Sequence, residues 1–258
     1  MTPCSHDRES SACWLVLLLC LAGAGARAEL VYANTNQFFP PATFLFTNAY
    51  SVTVPDGQGG SVVVPAGQVG DSIQLTQPGE FERFRFSYTA FRGPQGTLAG
   101  ATLVLRFYEN NGPAVAVPGE GMVRLPGDLL YQSNPFAVEE GLRVVTLTDL
   151  PGLWLPQDMT WSVEFVNLNL ATSTFSMVAY GPPQVGTNPS YYLTLEPGNQ
   201  WVVNPPVFHP TETSVLVPGN FPASLEVTPI PEPGVTTLAG LGTAAFLVHS
   251  RRRFRRRV

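Results

Sequence analysis

The most constraining feature of this chain is a strict alternation of polar and apolar residues over several short segments. Residues Thr160–Phe165 read TWSVEF and residues Arg83–Tyr88 read RFRFSY, each without a break. Because side chains alternate between the two faces of a β-strand, this period predicts strands with one buried face. Further predicted strands are Ser72–Leu75, Thr102–Tyr108, Arg143–Thr148, Thr174–Tyr180, Tyr191–Leu195 and Ala223–Val227.

Turn signals separate these segments. The chain contains 24 glycines and 25 prolines, and Pro-Gly pairs follow several predicted strands, as at Pro78-Gly79 and Pro126-Gly127. Glycine and proline together mark turns, and no amphipathic helix of useful length lies between them. The body is therefore predicted to be all-β, an antiparallel β-sandwich or jelly roll.

A local near-repeat predicts one hairpin in detail. Ser51–Pro55 and Ser61–Pro65 read SVTVP and SVVVP, and they flank the glycine-rich stretch at residues 56–60. Because proline lacks the backbone N–H that a ladder needs, strands that end in proline favour the edge of a sheet. We expect an edge hairpin here.

The N-terminus has the order of a secretory signal peptide. An apolar run at residues 14–22 is followed by small residues, with Ala26 and Ala28 at the two positions that signal peptidase requires to be small. Cleavage after Ala28 makes residues 1–28 a signal helix that is removed. Cys4, Cys13 and Cys20 all precede that point, so the mature chain is expected to have no disulfide and no cysteine nucleophile.

The C-terminus combines a short motif, an apolar helix and a basic tip. Pro231-Glu232-Pro233 precedes an uncharged stretch at residues 234–248. Fifteen helical residues span only ~22 Å, less than a ~30 Å bilayer core, so flanking residues must help it to stop in a membrane. The cluster that would snorkel into the headgroups and keep the C-terminus cytoplasmic is Arg251, Arg252, Arg253, Arg255, Arg256 and Arg257.

This order of parts, from Pro231 to Val258, resembles the PEP-CTERM sorting signal of Gram-negative bacteria. The resemblance implies recognition by an exosortase, a membrane-embedded thiol transpeptidase, with processing near the Pro-Glu-Pro and transient anchoring in the inner membrane. An ordinary C-terminal tail anchor is the alternative.

The predicted domains are then a signal peptide (1–28), an ectodomain (29–228) and a sorting segment (229–258). The ectodomain is also similar to uncharacterised surface β-domains that end in the same anchor, with landmarks at Gly70–Leu75, Arg106–Gly112, Leu130–Ser133, Thr160–Phe165 and Pro182–Gly186.

Charge and motif content narrow the function. Between Glu29 and Ile230 the chain has 16 acidic residues and six arginines, a balance of 6 − 16 = −10, which argues against a nucleic-acid partner. His209 is the one histidine of the predicted mature body, too few for a zinc site. Neither a Gly-x-Ser-x-Gly elbow nor a phosphate-binding glycine loop is present. We expect no catalytic residues, no metal site and no enzyme activity, although paired acids such as Glu139-Glu140, or Glu164, leave a glycosidase open.

Two binding signals are weaker. The acids Asp56, Asp71, Glu109 and Asp128, taken as loop residues, have the oxygen chemistry that calcium prefers, but they lack an ordered D-x-D-x-D spacing, and solubility explains them better. Aromatic side chains that would stack on sugar rings if exposed are Tyr191, Tyr192, Trp201 and Trp154.

Taken together, these features of the sequence predict an exported, non-enzymatic surface or matrix protein, structural or adhesive. The alternatives are a carbohydrate-binding module of an exopolysaccharide matrix and a glycosidase.

Overall fold

The structure is a computed structural model that describes residues 27–35, 51–55, 61–65, 67–92, 96–167, 173–177, 182–204, 207–208, 216–217 and 220–229. These residues form antiparallel strands and no helix, as the alternating pattern predicted. The strands are β1 (Glu29–Asn34), β2 (Ser51–Pro55), β3 (Ser61–Pro65), β4 (Gln68–Gln74), β5 (Gly79–Arg92), β6 (Thr102–Glu109), β7 (Ala114–Val117), β8 (Gly121–Arg124), β9 (Leu129–Gln132), β10 (Phe136–Ala137), β11 (Gly141–Thr148), β12 (Trp154–Leu155), β13 (Asp158–Val166), β14 (Ser173–Ser176), β15 (Tyr192–Glu196), β16 (Gln200–Asn204), β17 (Val207–Phe208), β18 (Leu216–Val217) and β19 (Ala223–Thr228).

Two large sheets dominate the described residues. The first has the order β1-β19-β5-β11, and β12 and β14 also pair with the long strand β5. The second has the order β10-β6-β13-β4-β15-β16, and β9 also pairs with β6. Three separate two-stranded sheets join β2 with β3, β7 with β8 and β17 with β18.

The inner faces of the two large sheets share one aromatic core. Phe84 of β5 meets Phe107 of β6 edge-to-face, with ring centroids 5.0 Å apart, and meets Trp161 of β13 at 5.3 Å. All three side chains are 0% exposed. Because these rings come from both sheets, the sheets face each other as in a β-sandwich. Edge-to-face geometry is the arrangement that aromatic quadrupoles favour.

The predicted strands are found in the structure. Arg83–Tyr88 lies inside β5, and Thr160–Phe165 lies inside β13. The other predicted segments coincide with β4, β6, β11, β15 and β19 to within a few residues, and β14 includes Thr174–Ser176 of the predicted strand Thr174–Tyr180. Along β5, Phe84 and Phe86 are buried while Arg85 between them is exposed. The period of two therefore reports burial as well as strand formation.

The predicted hairpin also forms. Strands β2 and β3 pair from Ser51 with Pro65 to Pro55 with Ser61. They form a two-stranded sheet of their own and do not extend either large sheet. The missing N–H of each terminal proline accounts for where the ladder stops.

The segments predicted at both ends of the chain lie outside the described residues. These are the signal helix with Ala26, the motif Pro231-Glu232-Pro233, the apolar helix and the arginine cluster at residues 251–257. Ala28 is described and exposed, just before β1. Within the described ranges no helix has the length and apolar character needed to cross a bilayer.

Candidate functional site

A second, smaller apolar cluster lies away from the central core and is covered by the β7–β8 hairpin. Its buried members are Leu125, Tyr191 and Leu193, and half-buried side chains of both hairpin strands pack against it. Trp201 of β16 joins the cluster and meets Tyr108 edge-to-face at 5.5 Å. The hairpin is thereby fixed against β15 and β16 of the second large sheet.

A polar pocket of about 540 Å³ lies beside this cluster. Its walls come from β4, the turn and second strand of the β7–β8 hairpin, the start of β13 and the loop before β15. The lining residues are Ser72, Ile73, Gln74, Asn110, Glu120, Val123, Arg124, Asp158, Thr187, Asn188, Pro189 and Tyr191. Such a volume is within the range of small-ligand sites, but amides, hydroxyls and charged groups make this lining more polar than most.

Hydrogen bonds between neighbours hold several lining side chains in place. The Asn110 amide donates to Ser72 Oγ at 2.9 Å, and its carbonyl accepts from Thr160 Oγ1 at 2.7 Å. Ser190 donates from both its backbone N and its Oγ to Glu120 Oε1, at 3.0 and 2.9 Å. Side chains fixed in this way lose little conformational freedom when a ligand binds.

The lining combines both signs of charge with neutral donors and acceptors. Glu120 and Asp158 supply carboxylates and Arg124 supplies a guanidinium. Burial raises the pKa of the Tyr191 phenol, an effect that a hydrogen bond with Ser72 partly offsets. This set of groups suits a ligand that offers many hydroxyls, since each hydroxyl both donates and accepts.

Asp71 lies behind the pocket wall, on the opposite face of β4. It is 0% exposed, and its Oδ2 accepts from the Phe221 backbone N at 3.0 Å and from Asn188 Nδ2 at 3.2 Å. Burial raises the pKa of this carboxyl well above its usual range, although the two hydrogen bonds oppose the change. Burial, together with the Asp71 charge, also raises the pKa of Tyr32. The expectation that Asp71 is a solvated loop acid is wrong, because it lies on the inner face of a strand.

The aromatics predicted to stack on sugars are distributed over different surfaces. Tyr191 is 3% exposed and forms part of the pocket wall, whereas Tyr192 packs against Phe221 with ring centroids 6.1 Å apart. Consecutive residues of an extended segment point to opposite faces, which explains the separation. Trp201 is half-buried, and Trp154 is 41% exposed on β12 in the other large sheet. The stacking role of these residues stays a prediction.

The remaining candidate acids have partners in the structure. Glu139 pairs with Arg143 at 3.2 Å and Glu140 pairs with Arg92 at 3.1 Å, both at exposed positions where ion pairs contribute little. Glu164 binds Arg106 at 2.6 Å.

Of the other residues considered for calcium, Glu109 and Asp128 lie on adjacent segments, where the Glu109 backbone N donates to the Asp128 carbonyl at 2.9 Å. Asp128 accepts a hydrogen bond from the Asn111 amide at 2.8 Å, and Glu109 ends β6. Asp56 and His209 lie outside the described residues. In the part of the chain that the structure describes, no three side chains of His, Cys, Asp or Glu lie close enough together to hold a metal.

Sequence reasoning did not identify most of the pocket. Asn110, Glu120, Asp158 and Asn188 come from four segments that no short motif connects. Their shared local signal is weak: Asn110 begins the predicted turn Asn110-Asn111-Gly112-Pro113, and Asn188 precedes Pro189. Comparisons of the chain with protein families, with curated proteins and with solved structures found no match.

Proposed function

We propose that this chain is an exported bacterial surface or matrix protein whose β-sandwich ectodomain is a non-enzymatic adhesive module that binds a carbohydrate. The proposal includes signal peptidase and exosortase as processing partners, and transient inner-membrane anchoring by the C-terminal segment. It also includes the jelly-roll form of the sandwich and a helical form for both ends. The order of signal peptide, Pro-Glu-Pro, apolar stretch and arginine cluster supports the export and sorting steps.

The observation that carries the ligand class is the composition of the pocket. Hydroxyl, amide and charged side chains surround a volume of about 540 Å³, and neighbouring hydrogen bonds fix several of them. A saccharide ring presents hydroxyls that donate and accept in all directions, which such a lining matches. Tyr191 adds an aromatic wall. A polysaccharide of an extracellular matrix is the corresponding partner.

Glycan-array binding of the purified chain, with and without calcium, tests the ligand class. Glu120→Gln and Arg124→Ala remove charged hydrogen-bonding groups from the pocket, and each should weaken binding roughly 10- to 100-fold. The matched controls Glu139→Gln and Arg143→Ala remove an exposed ion pair outside the pocket lining and should bind as the unmodified chain does. Equal losses of glycan affinity in the pocket variants and in the control variants would contradict the proposal, as would a chain that binds no glycan at all.

The sorting step has its own test. Replacing Pro231 and Pro233 by alanine should leave the full-length chain in the membrane fraction of an exosortase-containing host. Pro197→Ala, in a turn of the body, serves as the control and should leave processing unchanged. Equal processing of all three proteins would favour an ordinary tail anchor.

A glycosidase is the second candidate, and one observation favours it: Glu120 and Asp158 both line the same pocket. Glycoside hydrolysis uses two carboxyl groups that flank the bond to be cleaved. Hydrolysis of an array-positive glycan that is lost in both Glu120→Gln and Asp158→Asn would establish this alternative. Binding without turnover would leave the adhesive role in place.

A further inference from the structure

Five buried or half-buried side-chain oxygens have no hydrogen-bond partner within the part of the chain that the structure describes. One is the Tyr32 hydroxyl, and the four that can only accept are Asn34 Oδ1, Asp71 Oδ1, Asn188 Oδ1 and Asn220 Oδ1. The side chains of Asn34, Asp71 and Asn220 are at most 3% exposed. An oxygen without a partner in such a place carries a desolvation penalty of about 1–3 kcal/mol, more if it is charged. Four together require a common explanation.

These four side chains belong to one group. Asp71 accepts from Asn188 Nδ2 at 3.2 Å and from the Phe221 backbone N at 3.0 Å. Asn34 Nδ2 donates to the Phe221 carbonyl at 3.2 Å, and Asn220 immediately precedes Phe221 in the chain. Asn188 therefore contacts the Asp71 carboxylate directly, Asn34 binds the Phe221 backbone that also donates to Asp71, and Asn220 precedes that backbone by one residue. The Nδ2 donors of Asn188 and Asn34 are thus occupied, while the acceptor oxygens of both side chains have no partner among the residues that the structure describes.

No positively charged partner of this group lies among the described residues. Asp71 is fully buried, yet none of the ion pairs among the described residues includes it. A buried carboxylate is costly unless a cation or a proton neutralises it. The Tyr32 hydroxyl donates a single proton, so it cannot satisfy four acceptors by itself.

We propose that Asp71, Asn34, Asn188 and Asn220 form a calcium site at the junction of β1, β4 and the segment before β19. Calcium takes six to eight oxygen ligands in flexible geometry, including Asp and Asn side chains, whereas magnesium demands a tighter octahedron. The site has a single carboxylate and three amides, so it contains no cluster of acidic side chains. The calcium proposal does not rest on the saccharide proposal, although Asn188 also lines the pocket.

Thermal unfolding of the purified full-length chain, first freed of metal with EDTA, tests the site. Because the site has only one carboxylate, its calcium affinity should be as weak as that of extracellular calcium-binding modules, whose Kd is about 10⁻⁴–10⁻³ M. At 10 mM calcium the ligand is then about 10 to 100 times Kd, and Tm should rise by about 3–10 °C. The same concentration of magnesium should give a smaller shift. Terbium offers a second readout, because Trp161 pairs directly with Asp71 across β13 and β4 and would sensitise its emission.

Three variants make the test decisive. Asp71→Asn should abolish both the calcium shift and the terbium emission, and the control Asp128→Asn, at an exposed acid, should preserve both. Asn188→Asp adds a second carboxylate, so it should tighten calcium binding about tenfold while destabilising the metal-free protein. This variant still decides the question if Asp71→Asn does not fold.

Three results would overturn the site. One is an unmodified chain with neither a Tm shift nor terbium emission, since internal waters would then hydrate the four oxygens. The second is an Asp71→Asn protein that still responds to calcium. The third is an Asn188→Asp protein whose calcium response is no larger than that of the unmodified chain.

Discussion

Replacing Phe84 by alanine tests whether the contact between the two large sheets holds this domain together. The Phe84 ring is 0% exposed and meets Phe107 and Trp161 of the opposite sheet at 5.0 and 5.3 Å. Replacing a buried Phe by Ala lowers the free energy of unfolding by about 3–5 kcal/mol. Because the Phe84 ring has two edge-to-face partners, we expect Phe84→Ala to fall in the upper half of that range. Since natural domains are stable by about 5–15 kcal/mol, the loss is a large part of the total.

Phe91 provides a matched control because it is the same residue type on the same strand but 43% exposed. Phe91→Ala should cost less than about 2 kcal/mol, since much of the ring is already in water. Urea unfolding followed by tryptophan fluorescence measures the free energy of unfolding of both variants. In thermal unfolding of a domain of this size, Phe84→Ala should lower Tm by about 8–20 °C. Equal costs for the two changes would refute the assignment of the core to the space between the sheets.

Three further changes probe other parts of the molecule. Deleting Pro231–Val258 should leave a soluble domain with the same Tm; a protein that fails to fold would place the domain boundary elsewhere. Gly70→Ala should destabilise the domain by about 1–3 kcal/mol, because the new Cβ would lie 2.7 Å from the Trp161 carbonyl oxygen; an unchanged Tm would contradict this contact. In metal-free protein the raised pKa of Asp71 stabilises the fold below the usual carboxyl range near pH 4, and this contribution is lost as pH rises. Burial raises the pKa of Tyr32 and Tyr191, so both phenols stay neutral in this range, and the Asp71→Asn variant should gain stability relative to the unmodified chain as pH rises above about 4, as pH-dependent unfolding would measure.

The fold was predictable where one face of a strand is buried. Along β13, Trp161 and Val163 point into the core, and the alternating pattern identified both. The length of β5 was not predictable from Arg83–Tyr88 alone. This strand has 14 residues because β19 and β14 pair along one edge and β12 and β11 along the other. Such partners are distant in sequence and leave no local signal.

The sites were less predictable, and β4 explains why. Its inner face carries Val69, Asp71 and Ile73, all at most 1% exposed. Strict alternation places Asp71 among buried residues, but a carboxylate is so rarely buried that composition favoured a loop. The partners that make its burial tolerable, Asn188 and the Phe221 backbone, are 117 and 150 residues away. Only the folded arrangement brings them together.

One strand thus contributes to both candidate sites. Ser72 and Gln74 of β4 line the pocket, while Asp71, the residue before Ser72, belongs to the buried group, and Asn188 contacts both regions. Two ligands that share a residue are linked, and the effect of each on the affinity of the other must be reciprocal. If calcium fixes the Asn188 amide, glycan affinity should depend on calcium in the unmodified chain but not in Asp71→Asn. If calcium raises Tm but does not change the glycan affinity of the unmodified chain, the pocket wall is rigid without the ion.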